Sequence, residues 1–369
     1  MAFNKDKFLN TLQKGIKNEY ATIVKDGIIG DLCGFIDSGS YLLNALISGS
    51  MFKGIPNNKV TLFSGPEGVG KSFILLSVIS LYLKKNKDAV VAFFESESAQ
   101  RKELFETFDI DTSRVFFLPV ETVQMVKIQG ISILNTYAEQ IGKDRSVNNL
   151  LLCLDSLGNL STTKELGDAS TGKEVLDMTR TKEIKSMFRT MTLKMGILNV
   201  PFISTNHTYM SQASMYPTQV VSGGSGPKYN ASTSVVLSKT KEKDGQDHVG
   251  NIVHCCVQKS RFTKENAKCD IYISFTKGLN KYYGLLEMAV EAGMIKYSKP
   301  RFEFPSGEKV FKSAVFKNPD KYFTQEFLQE LDIYLNQKFS YGNWNALEVS
   351  DEFEDEEESE IESPFDEDL

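Results

Sequence analysis

Residues Gly65-Pro66-Glu67-Gly68-Val69-Gly70-Lys71-Ser72 follow the pattern GxxxxGK(S/T), with glycines, a lysine and a hydroxyl at fixed offsets. Glycines in such a loop let successive backbone N–H groups close around phosphate oxygens at the start of a helix. Lys71 then reaches the β- and γ-phosphates and the Ser72 hydroxyl ligates Mg2+. The flanks suit this chemistry, since Val60-Thr61-Leu62-Phe63 reads as a strand and a helical pattern begins at Lys71. ATP and Mg2+ are therefore the predicted ligands.

Phosphate chemistry also needs a carboxylate for the metal and a group that orients the attacking water. The apolar run Leu150 to Leu154 ends in Asp155, which is predicted to pair with Ser72 at the metal. A second run ends at Phe94 and continues into Glu95-Ser96-Glu97-Ser98. Glu97 or Glu95 would stand where ligands of open α/β sheets bind and could serve as general base. A solvated acidic turn is the other reading. Arg180, Lys182, Lys185 and Arg189 place much of their charge on one side of a helix, and Lys259-Ser260-Arg261 ends a strand. Taken alone, these are a solvated helix face and a basic turn.

The elements that must position these groups are legible in outline. Apolar runs at 60–63, 89–94, 150–154 and 201–204 alternate with helical segments, which indicates a parallel sheet covered on both faces. Runs at 233–237, 252–257 and 271–275 lie closer together and read as β-hairpin additions at one edge. Phe8, Leu12, Ile16 and Tyr20 recur every fourth residue, an amphipathic helix that can dock on a neighbouring subunit or on its own body.

Composition sets limits on function. No apolar run approaches the roughly 18 residues that span a bilayer, and the polar start lacks a signal core. The five cysteines show no CxxC spacing and read as reduced thiols, which points to the cytoplasm. The formal charge of −6 divides unevenly along the chain. Residues 351–369 carry twelve acidic and no basic residues, leaving 36 acids against 42 bases in the body. A basic body with an acidic tail suits a polyanionic ligand; a solubilising tail on an ordinary domain fits equally.

The ordered set of motifs resembles the RecA-type recombinases, in particular their phage branch. It comprises the phosphate loop, a strand ending in Glu95-Ser96-Glu97, one ending in Leu154-Asp155-Ser156, and Ser204-Thr205-Asn206-His207. Leu154 to Leu160, Asp177 to Arg180, Asn206 to Tyr209, Gly223 to Pro227 and Tyr283 to Ala289 extend the likeness over roughly residues 38–297. It implies a RecA-type P-loop ATPase core with a mostly parallel sheet (35–282), an N-terminal helical segment (1–34), a small C-terminal domain (283–347) and a disordered acidic tail (348–369).

The resemblance also implies roles. Glu97 is favoured over Glu95 as the catalytic glutamate, and His207 would sense the γ-phosphate. Two DNA loops would span about 162–177 and 208–224, the second with Tyr209 and the pair Gly223-Gly224. Lys182 and Arg189 match positions that face DNA phosphates, with Arg180 beside them, and Lys259 and Arg261 would reach the γ-phosphate bound by the adjacent subunit. The family places an aromatic over adenine seven residues past the glutamate, where this chain has Leu104. Phe105, an apolar contact or Phe275 could take over, or the stacking is lost. The implied activity is a DNA-dependent ATPase that forms helical filaments on single-stranded DNA and exchanges strands with homologous duplex. A single-strand-binding protein and a mediator or loader are the implied partners. A hexameric RecA-fold helicase motor and a non-catalytic mediator are the competing expectations.

Overall fold

The computed structural model describes residues 3–18, 20–142, 144, 147–172, 179–211 and 218–342. Residues 348–369, expected as an acidic tail, lie outside them. Helix α1 (Lys5–Gly15) buries none of its residues, and Phe8, Leu12 and Ile16 are exposed. Helix α2 (Tyr41–Ser48) starts at Ser40, whose hydroxyl accepts from the Leu43 amide, and it ends at Gly49 in the left-handed region.

The expected parallel sheet is present. Strand β1 (Val60–Gly65) leads through the phosphate loop into α3 (Lys71–Lys85). After these come β2 (Val90–Glu95), α4 (Lys102–Thr107), β3 (Val115–Pro119), α5 (Val123–Ile141) and β4 (Leu150–Asp155). Next are α6 (Thr163–Ser170), α7 (Arg180–Leu198), β5 (Phe202–Ser211), β6 (Thr218–Val221) and the short α8 (Ser225–Asn230). Strands β7 (Thr233–Asp244), β8 (Asp247–Ser260), β9 (Lys268–Ser274) and β10 (Gly278–Leu279) complete the sheet, in spatial order β10-β9-β8-β7-β1-β5-β4-β2-β3.

Every residue of β4 is buried, which is why its sequence is continuously apolar up to Asp155. Alternate side chains serve opposite faces. Leu151 and Cys153 pack into one cluster with Leu75 and Ile79 of α3; Leu152 and Leu154 join another with Val126 of α5 and Met187 and Met191 of α7. Each such leucine contributes roughly 1.5–3 kcal/mol by leaving water.

Register aligns the chemistry at one end of the sheet. Gly65 of β1 lies opposite His207 of β5, and Glu95 of β2 lies opposite Asp155 of β4. The run at 233–237, read as part of an edge hairpin, does pair antiparallel with β8 through Cys255↔Leu237 and Val257↔Val235, and on its other side it pairs parallel with β1 through Thr61↔Thr233. The antiparallel additions begin only at β8, after a turn at Gly245. Both expected DNA loops contain regular structure. Thr162 and Glu165 form a capping box that starts α6, and β5 pairs antiparallel with β6 through Thr208↔Val221 and Tyr209↔Val220. Residues 173–178 and 212–217 lie outside the described set.

After residue 282 come α9 (Leu285–Glu291), a three-stranded sheet over 296–311 and, after two short helices, α10 (Gln325–Phe339). Leu328, Leu331, Leu335 and Phe339 of α10 belong to the same buried cluster as α2 and α3. The Asp332 carboxylate accepts from the Ser50 hydroxyl at 2.8 Å, fixing α10 to the loop after α2.

Candidate nucleotide and DNA site

The phosphate loop owes its shape to glycine. Gly68 and Gly70 have φ of +65° and +104°, which side chains disfavour. A Cβ at Gly65 would stand 2.8 Å from the Leu237 carbonyl oxygen, and one at Gly70 2.7 Å from Ile273 Cδ1. No side chain caps the first turn of α3, so its amides are left for an anion. Lys71 is buried and its Nζ donates to the carbonyls of Gly65 and Pro66, at 2.9 Å each. Burial pulls its pKa down, while Glu97, Asp155 and Glu67 hold it up; the net direction is down. Lys239 of β7, which the sequence reading missed, donates to the Gly68 carbonyl and adds a cation at the loop.

A cavity of about 240 Å³ opens over the loop and brings Lys71, Ser72, Glu97, Asp155 and His207 together. Asp155 is 3% exposed, and burial pushes its carboxyl up. Hydrogen bonds from Thr205, Ser72 and Gln100 (Nε2 at 2.9 Å) oppose this, and the Glu97 charge adds to it. A buried carboxylate with a hydroxyl at its side and a second carboxylate near is stabilised by a divalent cation, so the donor set fits Mg2+ between Ser72 and Asp155.

The two glutamates at the end of β2 differ in what they face. Glu95 is buried, and its carboxylate accepts from the amides of Glu97 (3.0 Å), Ser98 (2.9 Å) and Ala99 (3.0 Å), so it builds the turn. Glu97 faces the cavity. Its Oε1 accepts from the Ser156 hydroxyl and lies 2.8 Å from His207 Nε2. Burial alone would raise Glu97, but the Ser156 and His207 hydrogen bonds and the His207 and Lys71 charges outweigh it and lower its pKa.

Phe105 is 5% exposed and packs edge-on against Phe93, with ring centroids 5.5 Å apart, so it cannot cover a base. Leu104 packs against the core as well. The aromatic the sequence reading missed is Phe108, one turn further on, whose ring meets Phe73 edge-on at 4.6 Å. Phe73, Phe108 and Phe275 line a cavity of about 470 Å³, and Phe73 also lines the phosphate cavity.

On α7, Ile184, Met187, Phe188 and Met191 face the core while Lys182, Lys185 and Arg189 are exposed. Tyr209 is 55% exposed near the end of β5, and Gly223 and Gly224 take φ of +85° and +69° just past β6. Arg180 is different. It is half-buried and spends its donors on the carbonyls of Leu157, Gly158 and Leu160. Lys259 and Arg261 lie away from the phosphate loop of their own chain. Ser260 is in register with Thr233, and Thr233 with Thr61, at the start of β1, whereas the loop begins at its end. Lys259 donates to the Tyr229 carbonyl, and burial, then the Arg261 and Lys228 charges, lower its pKa.

Fold and cavity together define a P-loop α/β protein, with the Gly65–Ser72 loop, the buried carboxylate of Asp155 and a glutamate–histidine pair at one end of a parallel sheet. The family model for the RecA N-terminal domain matches residues 29–280, and the chain belongs to the RecA family. It is 35% identical over 285 residues to the "Recombination and repair protein" of Enterobacteria phage T4, covering 76% of this chain and 71% of that protein. It is 23% identical over 273 residues to "Protein RecA" of Streptomyces rimosus, covering 72% and 69%. With "Protein RecA" of Corynebacterium glutamicum (strain R) it shares 22% identity over 359 residues, covering 94% and 90%. Among the described residues no helix is long and apolar enough to cross a membrane.

Proposed function

We propose that the chain is a recombinase: a DNA-dependent ATPase that assembles as a helical filament on single-stranded DNA, pairs it with homologous duplex and exchanges strands. The observation that carries this reading is the convergence of Lys71, Ser72, Asp155, Glu97 and His207 on one cavity, with His207 on the strand that runs on into the β5–β6 hairpin.

In this reading the amides at the start of α3 and Lys71 hold the triphosphate of ATP, and the base lies towards Phe73, Phe108 and Phe275. Ser72 and Asp155 would hold Mg2+, which would supply neutralisation of the phosphate charge. Glu97, kept as a carboxylate by its hydrogen bonds, orients the attacking water and takes its proton. His207 Nε2 can leave Glu97 for a γ-phosphate oxygen, which ties the state of the nucleotide to β5. Lys182, Arg189, Tyr209 and the backbone at Gly223-Gly224 bind the strand, through phosphates and by stacking, without reading sequence.

Lys259 and Arg261 serve the nucleotide of the next copy, and the exposed Phe8, Leu12 and Ile16 dock α1 on that neighbour. A single-strand-binding protein and a loader are the further partners, in the cytoplasm of a host bacterium. Replacing Lys71 with Ala should lower DNA-stimulated ATP hydrolysis and strand exchange at least about a hundredfold. A variant that keeps both activities would overturn the reading.

A further inference from the structure

Arg180 has the geometry of a joint rather than of a surface cation. Its Nε donates to the Leu160 carbonyl at 2.7 Å, and Nη2 to the carbonyls of Gly158 at 2.6 Å and Leu157 at 3.0 Å. Nη1 reaches the Ser222 hydroxyl at 3.4 Å. A guanidinium has five donors in a fixed fork. With three backbone carbonyls and a hydroxyl engaged, little of the fork is free for a DNA phosphate.

The contacts lie on two routes out of the nucleotide cavity. Residues 157–160 directly follow Asp155 and Ser156, and the Ser156 hydroxyl donates to Glu97. Gly158 is pressed against His207, for a Cβ there would stand 2.6 Å from His207 Cδ2. Ser222 donates its amide to the His207 carbonyl at 2.9 Å, and its own carbonyl accepts from Asn206 Nδ2 at 2.9 Å. It immediately precedes Gly223-Gly224 at the end of the β5–β6 hairpin. Arg180 itself is the first residue of α7, the helix that exposes Lys182 and Arg189.

We propose that Arg180 is a positioning residue that couples nucleotide occupancy to DNA grip, by joining the turn after the metal carboxylate, the end of the hairpin and the basic helix. The inference rests on the nucleotide-gated DNA binding proposed above. A His207 drawn towards a γ-phosphate shifts its packing on Gly158 and its backbone link to Ser222, and the arginine fork ties those segments to α7.

The test measures single-stranded DNA affinity with and without a non-hydrolysable ATP analogue, over a range of salt concentrations, for the full chain and for Arg180→Lys. Lysine keeps the charge but cannot span three carbonyls. The unaltered chain should bind DNA about 5- to 150-fold more tightly with nucleotide, the usual size of such coupling. In Arg180→Lys that ratio should collapse at least about fivefold towards one, with the salt slope intact. An unchanged ratio overturns the proposal. An equal loss of affinity in both nucleotide states also overturns it, because that marks a plain DNA contact or a merely structural residue. A ratio of one in the unaltered chain sinks instead the functional reading beneath. Ser222→Ala removes only the hairpin-side contact and serves where Arg180→Lys does not fold. It should lower the ratio about two- to tenfold, and no change counts against the proposal.

Discussion

The surroundings of Asp155 resist its charge, since burial raises its pKa. A carboxyl that holds its proton more firmly when folded makes the native state bind more protons than the unfolded one, so its contribution to stability falls as pH rises. Asp155→Asn should therefore raise the melting temperature of the metal-free protein at pH 7 and, at the same time, abolish Mg2+-dependent nucleotide binding. Calorimetry with and without Mg2+ checks both, and a lower melting temperature would contradict the strain. Glu97 is displaced the other way, so water activation should persist below the ordinary glutamate range while the metal site fails first on acidification. At this scale the sequence was generous where spacing itself is the signal, as in Gly65 to Ser72. The family likeness favoured Glu97, but residue types and spacing alone could not separate it from Glu95, because both stand at the end of one strand and only the folded turn shows which carboxylate three amides consume. Nor could they show Arg180 turned inward, since a basic residue at a helix start looks the same in either role.

The elements follow from periodicity where both faces of a strand are buried. Leu152 of β4 is wholly buried between α5 and α7, and Leu152→Ala should cost roughly 2–5 kcal/mol in urea unfolding. Leu193, 65% exposed on α7, should cost under about 0.5 kcal/mol when replaced by Ala. Equal losses at the two sites would mean that α7 does not cover the sheet as described. Other elements left fainter traces. Thr162-Thr163-Lys164-Glu165 carries the spacing of a capping box, yet its polar surroundings read as loop, and α6 was missed. The parallel pairing of β7 has no mark in the sequence, because an apolar run is the same whichever way its neighbour points.

For the whole molecule, the C-terminal region could be read as a separate small domain, but its helix α10 shares a single buried cluster with α2 and α3. No periodicity within residues 325–339 could announce that, since it depends on contacts almost three hundred residues apart, such as Asp332 with Ser50. Assembly is the other property of this scale. Lys259→Ala with Arg261→Ala should abolish ATP hydrolysis, as Lys71→Ala should, while an equimolar mixture of the two variants should regain up to about a quarter of the activity, as expected when half the sites and half the donors are intact and pair at random. Steady-state hydrolysis in the mixture is the measurement, and no recovery would place the pair's role within one subunit.

The position of Lys259 and Arg261 at the start of β1, with the phosphate loop at its end, bears on direction. If copies stack as proposed, each pair serving the next pocket, the stack would finish with an unserved pocket at one extremity and idle cations at the other. The two tips would then be chemically unlike: turnover would be slowest where a pocket lacks its donor, and growth and loss of subunits would acquire a heading that follows the polarity of the bound strand.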